Sequence, residues 1–78
     1  MKAVTVANKL TEAGIKYRTL SIDPLAGDMV FIIDPVEYYQ EAISIYCIAG
    51  RVTCEIGKTK ATFGYAVKAA RKMGASNE

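Results

Sequence analysis

The chain has no histidine and no tryptophan among its 78 residues, only two cysteines and two prolines, and no apolar run of membrane-spanning length. Each gap closes something off. Without histidine there is no imidazole to act as general base, to activate a serine or cysteine, or to bind a transition metal, so most familiar hydrolase arrangements are excluded. Cys47 and Cys54 are too few for a disulfide framework or for a zinc site, which takes about four ligands, and they read as reduced core thiols. No segment approaches the roughly 20 apolar residues of a membrane helix or has the build of a signal peptide, so a cytoplasmic setting is expected. No cofactor or metal is expected either. With 51% apolar and 23% charged residues the chain composes a folded domain, one small enough to bury only about 60% of its unfolded surface. We expect a single domain over residues 1–78, with 75–78 as a frayed tail.

What is present reads by period. Residues 5–13, TVANKLTEA, set Val6, Leu10 and Ala13 on one helical face, with Thr5 as N-cap and Gly14 as a left-handed stop; a Schellman ending would bring Leu10 and Ile15 together. Residues 15–22, IKYRTLSI, predict a strand, Asp23 to Asp28 a loop, and Met29 to Ile33 a second strand, which is apolar on both faces and so must be central or doubly covered. Asp34-Pro35-Val36-Glu37 is a helix-start signal: a carboxylate cap, proline at the first position and glutamate at the third. It predicts a short helix ending near Gln40 or Glu41, the alternative being one helix from Pro35 to Ala49. Of the adjacent tyrosines, Tyr38 is expected at the surface and Tyr39 in the core.

Register favours the short helix. Folding 43–48 back on 51–56 about Ala49-Gly50 places Ile43 opposite Ile56, Ile45 opposite Cys54 and Cys47 opposite Val52 on one face, with Ser44–Glu55, Tyr46–Thr53 and Ile48–Arg51 on the other. A second hairpin across Gly57-Lys58, with glycine first as a type II′ turn prefers, sets Cys54 against Ala61, Glu55 against Lys60 and Val52 against Phe63. The Gly57-Lys58-Thr59 string is also how a phosphate-binding loop ends, but that loop needs its first glycine at position 52, which is Val52. The turn is therefore a hairpin. From Gly64 to Met73 the period returns to helical, with Phe63, Ala66, Val67, Ala70 and Met73 inward and Lys68, Arg71 and Lys72 outward, before Gly74. The predicted architecture is a small α+β domain in which an antiparallel sheet of about five strands packs against N- and C-terminal helices. Its apolar strands exceed what two short helices cover, which predicts a homodimer through the free sheet face or an edge strand.

Charge is distributed unevenly. Residues 19–50 contain Asp23, Asp28, Asp34, Glu37 and Glu41 and no lysine or arginine, whereas residues 1–18 carry +3 and residues 51–78 carry +4, within a net charge of +2. Some of these acids are ordinary turn caps. As a surface, however, Asp28, Glu37 and Glu41 with Tyr38 form a candidate dock for a basic region of a larger protein or nucleoprotein, since aromatics carry much of the energy at interfaces. The Asp34 and Glu37 carboxylates could do acid–base work only in a pocket that a chain this small hardly encloses, and no catalytic residue is assigned.

The stretch CEIGKTKATFGYAVKAARK, two strands around a glycine turn and then an alanine-rich basic helix, resembles the β-sheet DNA-binding domains of tyrosine recombinase arm regions and plant ethylene-response factors. The resemblance covers about a third of the chain. It implies a nucleic-acid contact through Arg51, Lys60, Lys68, Arg71 and Lys72, although the exposed strand face holds fewer cations than phosphate contacts require. In build alone, a small single domain without catalytic groups, the chain also looks like the inhibitors that phages and mobile elements carry, anti-CRISPR proteins among them. The favoured expectation is a non-catalytic protein that binds a larger partner and blocks it by occlusion, with nucleic-acid binding as the alternative.

Overall fold

The computed structural model describes residues 2–74. The elements in chain order are α1 (Ala3–Glu12), β1 (Arg18–Asp23), β2 (Asp28–Ile33), β3 (Ile43–Ile48), β4 (Arg51–Ile56), β5 (Thr59–Ala61) and α2 (Phe63–Lys72). The strands form one antiparallel sheet in the order β1-β2-β3-β4-β5. Both helices feed the core on a single sheet face. Val6 and Leu10 of α1 and Ala66 and Ala70 of α2 join Phe31, Ile33, Ile43, Ile45, Cys47 and Cys54 in one buried cluster. The α+β architecture predicted from periodicity is the architecture observed.

Parity accounts for the meander. All six expected β3–β4 pairs form, from Ile43 opposite Ile56 to Ile48 opposite Arg51, and Cys54–Ala61 and Glu55–Lys60 follow across β4 and β5. A one-residue slip would send Ile43, Ile45 and Cys47 to the solvent face, so burial fixes the register. Gly57 at φ 62° supplies the positive dihedral that the first position of the two-residue β4–β5 turn demands. The expected pairing of Val52 with Phe63 does not form. β5 stops at Ala61, and the Thr62 hydroxyl accepts a hydrogen bond from the Tyr65 amide (3.2 Å), so Phe63 opens α2 instead.

At the other terminus the helix begins two residues before its expected cap. Lys2 occupies the N-cap without a side-chain bond, Ala3 packs against the core, and Thr5 lies inside the helix. The ending is the expected Schellman motif: the Ile15 amide donates to the Leu10 carbonyl (3.0 Å) and the Gly14 amide to Thr11 (3.0 Å), with Leu10 and Ile15 both buried. Ile15 is thereby spent on the helix end, which moves the start of β1 from the predicted 15 to Arg18. β2 has neighbours on both sides as its composition required, but among the described residues no helix covers its outer face. The expected frayed tail, 75–78, lies outside the described residues.

The predicted helix at 35–41 is absent. Residues 34–42 form a turn-rich loop, which also removes the alternative helix from 35 to 49. Two competing interactions explain the correction. Asp34, the expected cap, is taken by Arg18, and the two amides a cap would satisfy, those of Val36 and Glu37, both donate to the Gln40 side-chain Oε1 at 2.9 Å. Val36, Tyr38 and Tyr39 add little helix propensity to resist this.

The candidate interaction surface

Strand direction sorts the acidic residues between two ends of the sheet. The β1–β2 and β3–β4 turns share one end with the start of α1; the 34–42 loop, the 57–58 turn and the end of α2 share the other. Asp23 and Asp28 lie at the first end. Asp34, Glu37 and Glu41 lie at the second, about 17–20 Å away along the six residues of β2. Of the four residues singled out for a partner, the fold brings Glu37, Tyr38 and Glu41 together and leaves Asp28 apart. Asp28 acts locally instead, its Oδ1 accepting from the Ala49 amide (3.0 Å) and so holding the β3–β4 turn.

The loop is held by its own side chains. Besides catching the Val36 and Glu37 amides, Gln40 donates from Nε2 to the Met73 carbonyl (3.3 Å), tying the loop to the end of α2, and the Gln40 amide closes a turn onto the Glu37 carbonyl (3.1 Å). At its start, Arg18 grips Asp34 through Nε (2.8 Å to Oδ2) and Nη2 (3.1 Å to Oδ1). That hydrogen bonding keeps the Asp34 carboxyl below its usual range and Arg18 above its own. The crest of the loop is left to solvent: Tyr38 is 98% exposed, Tyr39 70% and Val36 56%. The expectation that Tyr39 is a core residue is therefore overturned. Its ring meets Tyr38 edge to face, centroids 5.6 Å apart at 87°, because the turn carries both rings away from the sheet.

Space also undoes the charge segregation seen along the chain. The Glu41 carboxylate lies over Gly57, one residue from Lys58, and Gln40 reaches the α2 end, where Arg71 and Lys72 fill the last turn. Beside the loop an open groove of about 460 Å³ runs between Glu41, Lys60 and Tyr65 over a floor of Ile56 and Ala61. Tyr65, 62% exposed, is not among the residues that the sequence pattern singles out; the signal it does carry is that of an aromatic placed off the Phe63-Ala66-Val67-Ala70 stripe of α2. No family model matches the chain, and no curated protein or solved structure does either.

The five cations of the nucleic-acid alternative do not share a surface. Arg51 pairs with Ile48, and Lys60 with Glu55, on the sheet face that no helix covers. Lys68, Arg71 and Lys72 are exposed on α2, which packs on the opposite face. Cys47 and Cys54 are buried free thiols whose ionisation burial pushes up, the opposite of a reactive cysteine. Among the described residues no three His, Cys, Asp or Glu side chains gather as a metal site, and no helix is long and apolar enough to cross a membrane.

Proposed function

We propose that this protein is a non-catalytic interaction module that binds a larger protein through the 34–42 loop and modulates or blocks it by occlusion. The supporting observation is the pairing of rigidity with exposure: Tyr38 and Tyr39 stand in solvent on a loop whose backbone is fixed by Gln40 and by the Arg18–Asp34 pair. A monomer gains little from ordering two rings that stand mostly in solvent and touch chiefly each other, whereas a partner binding a pre-ordered loop avoids the cost of ordering it. Glu37 and Glu41 flank the rings and select a partner with a basic rim. The groove beside Tyr65 extends the same surface.

The test is capture from a nuclease-treated lysate, followed by titration of whatever partner is retained. Tyr38→Ala should weaken binding by roughly 30-fold, the ~2 kcal/mol of an aromatic anchor, and Glu41→Lys should weaken it further, both at unchanged melting temperature. A partner that binds both variants as it binds the wild type would refute the loop as the site. Salt-sensitive binding to duplex nucleic acid that Lys68→Glu with Arg71→Glu abolishes would replace the reading altogether.

A further inference from the structure

The sheet discourages addition at its edges and leaves its outer face open. β5 has three residues, and β1 is bulged between Ser21 and Asp23 with Pro24 directly after, both features that blunt an edge. The outer face is built of cross-strand rows. Its middle row is Leu20, Val30, Tyr46 and Thr53; one flanking row runs from Arg18 through Ile32 and Ser44 to Glu55; the other carries Asp23 and Asp28 at one side and Ile48 opposite Arg51 at the other. Leu20 and Ile48 are 52% and 41% exposed, whereas Val30 between Leu20 and Tyr46 is down to 7% although neither described helix lies over it, so its cross-strand neighbours cover it. The corners of the β1–β4 face alternate in sign, Asp23 and Arg51 at one end and Arg18 and Glu55 at the other, although Arg18 also holds Asp34, Glu55 lies opposite Lys60 and Asp23 accepts from the Leu25 and Ala26 amides.

We propose that this face is a homodimer interface in which two copies stack sheet on sheet about a two-fold axis running along the strands between β2 and β3. That axis lays β1 over the second copy's β4 and β2 over its β3. Val30 then faces the other copy's Tyr46, Leu20 meets Thr53, and every corner meets its opposite, Asp23 on Arg51 and Arg18 on Glu55. An apolar centre inside a charged rim is the usual anatomy of an interface, and stacked sheets keep their strands within about 30° of each other. Four strands about 4.8 Å apart, each six residues at about 3.3 Å, give a footprint of about 400 Å² per copy before side-chain relief, which brings the pair to the low end of specific interfaces at about 1,000 Å². The dimer therefore dissociates on dilution. A different partner would need its own matching checkerboard of charge; a second copy has it by symmetry. A two-fold axis across the strands also pairs opposite corners, but it stacks Val30 on Val30 and Tyr46 on Tyr46, a gap beside a collision.

Sedimentation velocity over a wide concentration series tests this. The wild type should pass from monomer to dimer, and Leu20→Glu and Ile48→Glu, at exposed positions that leave the fold intact by circular dichroism, should each weaken association by about tenfold or more. The exchange Arg51→Glu with Glu55→Arg sets carboxylate against Asp23 and guanidinium against Arg18 at every corner, and should weaken association about as much. A protein that stays monomeric throughout, or a dimer indifferent to Leu20→Glu, overturns the proposal. An exchange variant that dimerises like the wild type overturns the along-strand axis. If the chain alone is monomeric and Leu20→Glu instead abolishes binding to another macromolecule, the second copy is the wrong occupant.

Discussion

The β3–β4–β5 meander and the 34–42 loop adjoin one another and are held by opposite means. In the meander each residue from Ile43 to Ile48 has a partner on β4, and every second one enters the core, so the structure is specified many times over. The loop spends nine residues without a ladder, and most of its order passes through one side chain, Gln40. Redundant, apolar specification makes a platform. Specification by a single polar group leaves the rest of a segment free to carry exposed aromatics, which is what a binding surface requires and a core cannot supply.

The largest test of this contrast is Ile45→Ala. Ile45 is fully buried in the row between Phe31 and Cys54, and its truncation should cost about 3–4 kcal/mol in urea unfolding, a drop of roughly 12 °C or more in melting temperature for a domain of this size. A loss under about 1 kcal/mol would mean that the row is not packed as described. Gln40→Ala should cost less, about 1 kcal/mol, because the amides it releases can turn to water. Its signature is local: faster hydrogen exchange at Val36 and Glu37, and weaker partner binding although Tyr38 is untouched. Gln40→Glu keeps the acceptor for both amides and loses only the donor to Met73, so it should recover most of that order. If Gln40→Ala left exchange at Val36 unchanged, the loop would be held by something else.

The same contrast explains what the sequence disclosed. Alternation of Ile43, Ile45 and Cys47 against Ser44 and Tyr46 could be satisfied in only one register, and the glycines at 50 and 57 marked where to fold, so the meander was legible from period alone. The basic helix and the Leu10–Ile15 helix ending were legible for the same reason. The Asp34-Pro35-Val36-Glu37 signal misled because a cap is a local motif with a distant competitor: Arg18 lies 16 residues away in sequence, and only strand pairing brings it to Asp34. Likewise the acidic residues formed one cluster along the chain but fall at two ends of β2, and the cations near the second end come from β1, the 57–58 turn and α2. Which side chains share a surface is decided by strand direction.

The smallest effect tests how far redundancy reaches. Ala49 sits at φ 53° and Gly50 at φ 76°, the paired positive dihedrals of a type I′ turn, and a β-carbon in that region costs about 1 kcal/mol. Asn tolerates the conformation better than Ala and keeps the amide that donates to Asp28. Ala49→Asn should therefore raise stability by about 0.5–1 kcal/mol, read as a higher urea midpoint at unchanged slope. Asp28→Ala should move it the other way by a similar amount, since the Ala49 amide loses its acceptor. A meander that carries a strained turn residue without losing register is one whose side-chain pattern outweighs its turn chemistry. Should Ala49→Asn destabilise the protein, the dihedrals of this turn, and with them the reading of Asp28 as its clasp, would be wrong.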